Sequence, residues 1–319
     1  MPAPGAALPA GPGSLATSRD PGGHATDTHP GPAHAFARQL RYSPSPMDHY
    51  ETLNETEWAE IDRIHELLDE AQVEDARAAL DELLRKRPGH PDLRIEDATL
   101  KLEEAEPHQA LAALQGAERS ADPARFFYLR AACYHELSRF AEAETDALRS
   151  VAVHPGYAMA HDLLSRIRDH LGDTEGAAEA AEAAAELDDE NFPEPLEVED
   201  EEFDALVEKA VADLPAKVRE KLDEIPVLVQ ALPSPEMLTD ENPPLTPDLL
   251  GLFVGRHLFA QLPTAVPGAP GAIFLFRRNL MRACSDREEL EREVRITVQH
   301  EVGHLLGLDE DELEDWGLA

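Results

Sequence analysis

Alanines recur at a fixed spacing through the middle of the chain: Ala76, Ala110, Ala143 and Ala177 are separated by 34, 33 and 34 residues. A period of this length means one supersecondary unit per repeat, and a small side chain at a fixed place in each unit lets helices approach closely. Pro88, Pro123 and Pro155 follow the first three alanines and are expected to stop helices. Each unit is then a helix pair whose apolar face is covered only by the next pair, so about four units should stack into an all-α array over residues 55–187.

The copy from Ala124 to Tyr157 carries Ala131, Tyr134, Ala143 and Pro155 at positions 8, 11, 20 and 32 of its repeat. In spacing and residue type it resembles a tetratricopeptide (TPR) unit, whereas the copies around Trp58 and Ala158 are degenerate. The resemblance implies a concave surface that recruits a protein or peptide partner. Tyr128, Arg130, Tyr134 and His135 are candidates to line it, although Tyr134 stands at a packing position, and none is assigned. Cys133, within an apolar run, is expected to pack between helices.

Near the C-terminus stands His300-Glu301-Val302-Gly303-His304-Leu305-Leu306-Gly307. Residues four apart share a helix face, so His300 and His304 can present ring nitrogens to one cation. Glu301, one position round, is placed to take a proton from a water activated by Zn²⁺, the expected cofactor. The implied chemistry is amide hydrolysis, with Glu301 as general base. Upstream, Leu290, Val294, Thr297, Val298, Val302 and Leu305 form an apolar helical stripe, and Ser285 with Glu288 reads as an N-terminal capping box. Gly307 can end the helix and turn the chain back toward the metal.

Only fifteen residues follow His304, too few for a ligand on a distant second helix. In the pattern H-E-x-x-H-x-x-G-x-x-H the third ligand stands three after the Gly, and here that position is Glu310, flanked by Asp309 and Asp311. Zinc accepts carboxylate oxygen, so Glu310 is the expected third ligand, with Asp309 the alternative. No Met follows, so the Met-turn of metzincins is absent.

Several features beside this motif occur in order: the amphipathic stretch from Phe203 to Leu222, the strand-like Ile225-Pro226-Val227-Leu228-Val229, and a Leu249-Leu250-Gly251-Leu252-Phe253 turn. Ile273-Phe274-Leu275-Phe276-Arg277-Arg278 and Cys284 with Asp286-Arg287-Glu288-Glu289-Leu290 come next. Together, residues 203–319 resemble a small bacterial metallopeptidase family described as minimal zincins. The resemblance implies a compact α/β zinc-binding domain in which His300, Glu301 and His304 match the motif and Glu310 matches an acidic position.

Without the family, Ile225 to Leu232 and Ala272 to Phe276 read as buried strands, so the coarse order is helix, strand, loop, strand, helix. The Pro- and Gly-rich loop between them, Pro233 to Gly271, borders the cleft or is variable surface. His257 in that loop reads as structural. Cys284, just before the helix N-cap, reads as a packed thiol rather than a reactive one. Residues 188–202 form an acidic, proline-broken linker, and residues 1–46, rich in Gly, Pro, Ala and His, read as a disordered tail with Met47 as the initiator.

A net charge of -37 opposes binding to nucleic acid or anionic membranes and favours basic peptide substrates. No signal peptide or membrane-spanning stretch is evident, and two distant cysteines fit a reducing compartment, hence a cytoplasmic setting. Two readings follow: a zinc peptidase with a TPR recruiting arm, or a catalytically silent zinc-binding TPR adaptor. Retention of Glu301 favours the enzyme, because a purely structural zinc site needs no base.

Overall fold

The computed structural model describes residues 53–222, 225–239, 244–255, 262–264 and 271–306; the N-terminal tail lies outside them. A helical array leads into a small α/β module. The array consists of α1 (Glu55–Asp69), α2 (Val73–Lys86), α3 (Pro91–Glu103), α4 (Pro107–Ala113), α5 (Pro123–Glu136), α6 (Phe140–Val153), α7 (Ala158–Leu171) and α8 (Thr174–Asp188). They pack as consecutive pairs, α1 on α2, α3 on α4, α5 on α6 and α7 on α8. Ala76, Ala110, Ala143 and Ala177 each fall in the first turn of the second helix of a pair, and all four are buried.

The turn inside each pair repeats with the same period. Ala71, Ala105 and Ser138 hold φ of 57°, 56° and 56°, and Gly172 holds 79°. The following N–H reaches five residues back each time: Gln72 to the Leu67 carbonyl at 2.7 Å, Glu106 to Lys101 at 2.8 Å, Arg139 to Tyr134 at 2.8 Å and Asp173 to Arg168 at 3.0 Å. Each is a Schellman closure, which satisfies the last carbonyls of the first helix and turns the chain back. Pro123 does not stop a helix as its spacing suggests. It opens α5, where its missing N–H costs nothing, while the Asp122 carboxylate accepts from the Ala124 and Arg125 amides at 2.8 and 3.0 Å.

The C-terminal module begins with α9 (Asp200–Asp213) and α10 (Ala216–Leu222), separated at Pro215, so the helix expected to run on to Leu222 is broken where proline cannot donate. Then come β1 (Val227–Gln230), α11 (Pro235–Thr239), β2 (Gly251–Gly255), β3 (Gly271–Phe276), α12 (Arg277–Ala283) and α13 (Arg287–Leu306). The sheet order is β1-β3-β2, with β1 parallel and β2 antiparallel to β3. β3 is the central strand and is buried throughout, which explains its uninterrupted apolar run. Ile273 and Leu275 pack with Phe203, Val207, Val294, Val298 and Val302 from α9 and α13. Ala272, Phe274 and Phe276 pack with Met237, Val254 and Leu262.

Ion pairs and a strap of chain dock the module on the array. Asp169 of α7, its side chain 1% exposed, pairs with Arg278 and accepts from Arg282 Nη2 at 2.7 Å. Ser165 Oγ takes another bond from Arg282 at 2.7 Å. Leu238, Leu245 and Leu249 press on the array core, and Arg166 reaches Asp248 at 2.9 Å. Buried Asn279 donates to the Pro247 and Leu249 carbonyls at 2.8 and 2.7 Å, fixing the strap that leads into β2. Between the modules, Phe192 is buried in the array core and the Leu196 amide donates to the Met281 carbonyl. Among the described residues no helix is long and apolar enough to cross a membrane.

Two outcomes are expected. Ala105→Gly removes the left-handed strain of an alanine and should raise stability by about 0.5–1 kcal/mol in urea denaturation, the relief exceeding the added chain entropy. Asp169→Asn takes from Arg278 and Arg282 the buried carboxylate they share, leaving Arg282 only Asp162 at 4.0 Å, and should cost about 3 kcal/mol in the same assay.

Candidate active site

Helix α13 crosses the sheet against β2 and β3. Its start falls one residue later than the sequence suggests: Asp286, not Ser285, caps it, accepting from the Glu289 amide at 2.9 Å, while the Glu289 carboxylate accepts from the Ser285 amide at 2.7 Å. The reciprocal pair has the logic of a capping box shifted by one position. From there Leu290, Val294, Thr297, Val298 and Val302 face the core as expected, and Leu305 is half-buried.

The motif spans two adjoining stripes of this helix, one exposed and one buried. His300 and His304 are exposed, their Nε2 atoms 2.9 Å apart and their rings edge to face at 4.5 Å between centroids. Partial burial and neighbouring His304 hold His300 below the usual imidazole range, which favours the neutral form that ligates a metal. Two nitrogens at zinc-bond length from one tetrahedral ion stand roughly 3.3 Å apart, so a small opening of the ring pair would admit the ion. This donor set fits zinc.

Glu301 turns inward and is 6% exposed. Its Oε2 accepts a 2.7 Å hydrogen bond from the Phe253 amide of β2. Burial pushes its carboxyl up to about 7, opposed by that amide, which favours the charged form. Such a group can exchange a proton near neutrality, and its carboxylate plane is fixed by backbone.

Leu249 to Phe253 has the sequence of a turn, whereas in the structure β2 begins at Gly251 and is a third strand inside the expected long loop. The signal was a four-residue spacing of Gly251 and Gly255 around Leu-Phe-Val, too short to outweigh the prolines nearby. The strand pairs with β3 from Gly251 opposite Leu275 to Gly255 opposite Gly271. A Cβ on Gly251 would stand 2.6 Å from Thr297 Cγ2 and 3.0 Å from Glu301 Cγ, so the absent side chain is what lets α13 lie close enough for the Phe253 contact.

Glu310, Asp309, Gly307 and His257 lie outside the described residues. Cys284 is buried and its thiol is raised to about 12 by that burial and nearby acids, a packing role rather than a reactive one. Cys133 is likewise buried, its thiol pushed far above the ordinary range. Of the groove candidates, Arg130 pairs with Asp146 at 2.5 Å, the Arg139 guanidinium lies over the Tyr134 ring, and Tyr128 and His135 line a cavity on the array.

Residues 222–318 match the family model described as zincin-like metallopeptidase. No curated protein matches the chain. The crystal structure of MamA is similar over 39% of this chain and 74% of that one, with 18% identity and a TM-score of 0.34.

Gly251→Ala should separate α13 from β2 and cost about 1–3 kcal/mol of unfolding free energy. Gly255→Ala, where a Cβ would meet nothing within 4 Å among the described residues, should change stability by less than about 0.5 kcal/mol in the same denaturation series.

Proposed function

We propose that the chain is a zinc-dependent peptidase, with His300 and His304 as metal ligands, Glu301 as general base, and the helical array as a recruiting arm for a protein or peptide. What carries this reading is the division of the motif on α13: two convergent, exposed imidazoles beside one buried carboxylate held by backbone. The family match over residues 222–318 supports the same chemistry. Glu310 or Asp309 would complete the ligand set.

Zinc, when bound, supplies Lewis acidity toward the scissile carbonyl and acidifies the attacking water. Glu301 takes a proton from that water as its oxygen bonds to the carbonyl carbon. The Phe253 amide holds Oε2, so Oε1, which accepts no hydrogen bond among the described residues, is the proton-carrying atom. When the C–N bond breaks, Glu301 returns the proton to the departing amine, so the carboxylate is regenerated. The raised affinity of Glu301 for a proton suits both halves of this transfer. The array contributes stacked helix pairs, the kind of scaffold on which repeat proteins hold extended partners.

Metal content by mass spectrometry, read beside cleavage of a proteome-derived peptide library, tests the assignment. His304→Ala should lower bound zinc by about one equivalent, and Glu301→Gln should keep the zinc yet slow cleavage by about a hundredfold to ten-thousandfold. Zinc retained by the wild type with no cleavage of any peptide would favour the adaptor reading instead.

A further inference from the structure

A second cluster of ligand atoms lies away from His300 and His304, where the strap before β2 meets the array. One ligand atom each from His135 and Glu136 of α5 and from Asp248 of the strap fall within 4.8 Å of one another. His135 is 2% exposed, yet among the described residues its buried Nε2 has no hydrogen-bond partner, which in a packed interior is costly unless something fills the role. His135 Nδ1 stands 3.5 Å from Glu136 Oε1. Asp248 Oδ2 accepts from Arg166 Nη1 at 2.9 Å, and Oδ1 is its other oxygen able to ligate a cation. The three residues border a cavity of about 230 Å³ that Glu103, Tyr128 and Asp162 also line.

We infer that His135, Glu136 and Asp248 form a divalent-cation site of their own, joining the helical array to the sheet-bearing module. One imidazole and two carboxylates are the mixed nitrogen and oxygen donor set that takes Zn²⁺ and its first-row neighbours. The carboxylates of Glu136, Asp162 and Asp248 at the cavity outnumber its one guanidinium, Arg166, even with Glu103 held toward its neutral form by burial, so the field favours a cation. The cavity leaves room for water or a ligand group to complete the coordination. Asp248 stands three residues before Gly251 on the strap that Asn279 fixes, so a cation here would pin the approach to β2 against α5. Such a clamp rests on no assumption about peptidase activity.

The test uses the full chain carrying His300→Ala and His304→Ala, so that any ion retained reports the junction. After loading with Co²⁺ or Zn²⁺ and gel filtration, about one equivalent should remain, with the visible d–d bands of Co²⁺ bound to nitrogen and oxygen. Adding Glu136→Gln or Asp248→Asn should weaken binding at least about tenfold, since changes even beyond the ligands themselves cost that much. Glu136→Gln is the decisive variant, because it leaves the Arg166 pair intact, and circular dichroism confirms that the helices persist. In the wild-type background the same variants should lower bound metal from about two equivalents to about one. Loss of all metal in the His300→Ala, His304→Ala chain, or retention unmoved by both carboxylate variants, overturns the inference. Neither result bears on whether the His300 and His304 pair supports cleavage.

Discussion

The buried carboxylate of Asp169 sets how the two modules meet. A charge that is almost wholly out of water must find counter-charges, and Arg278 and Arg282 come from the helix that directly follows β3. Such a cluster is a weak source of net stability, because desolvation offsets much of the attraction, but it tolerates few alternative arrangements. With α12 fixed on α7, Asn279 meets the Pro247 and Leu249 carbonyls and sets the strap, and the strap sets where β2 begins. β2 in turn supplies the amide that holds Glu301. The candidate catalytic residue is therefore connected by a short run of directional contacts to the seventh helix of the array.

Helix α13 shows how one segment serves packing and chemistry together. The i, i+4 spacing that puts His300 above His304 also puts Glu301 on the adjoining stripe with Thr297, which faces the sheet. The imidazoles are left facing outward, where an ion can reach them, while the carboxylate is drawn into a lower dielectric that raises its proton affinity. An exposed glutamate at this position would titrate near the ordinary carboxylate range and be a weaker base at neutral pH. Gly251 is part of the same arrangement, since only a residue without Cβ allows the helix and the strand to come this close.

Much of this was legible in the sequence because it rests on local periodicity. The 34-residue alanine spacing marks the second helix of each pair, and the His-Glu-x-x-His spacing marks one helix face. What was not legible depends on tertiary context. Three of the four Schellman turns use Ala or Ser at positive φ instead of Gly, so the most regular backbone feature of the array carried no glycine signal. β2 is five residues long and acquires strand character only by pairing with β3. The capping shift from Ser285 to Asp286 reflects two adjacent residues with similar cap preference. His135 and Asp248 are 113 positions apart, and no local pattern brings them together.

The charge distribution gives the array a further part to play. A chain at -37 repels itself, and arginines offset part of that charge where helices and modules meet, among them at Asp146, Asp162, Asp169 and Asp248. Around the cavity one guanidinium, Arg166, serves both Asp162 and Asp248, and Glu136 adds a further carboxylate, so the potential beside the strap is negative. A cation arriving there lowers the repulsion between α5 and the strap at the step of the chain that positions β2. The negative field thus makes cations the natural means of tightening the joint between the two modules, and the joint lies only a few residues from the strand that orients Glu301.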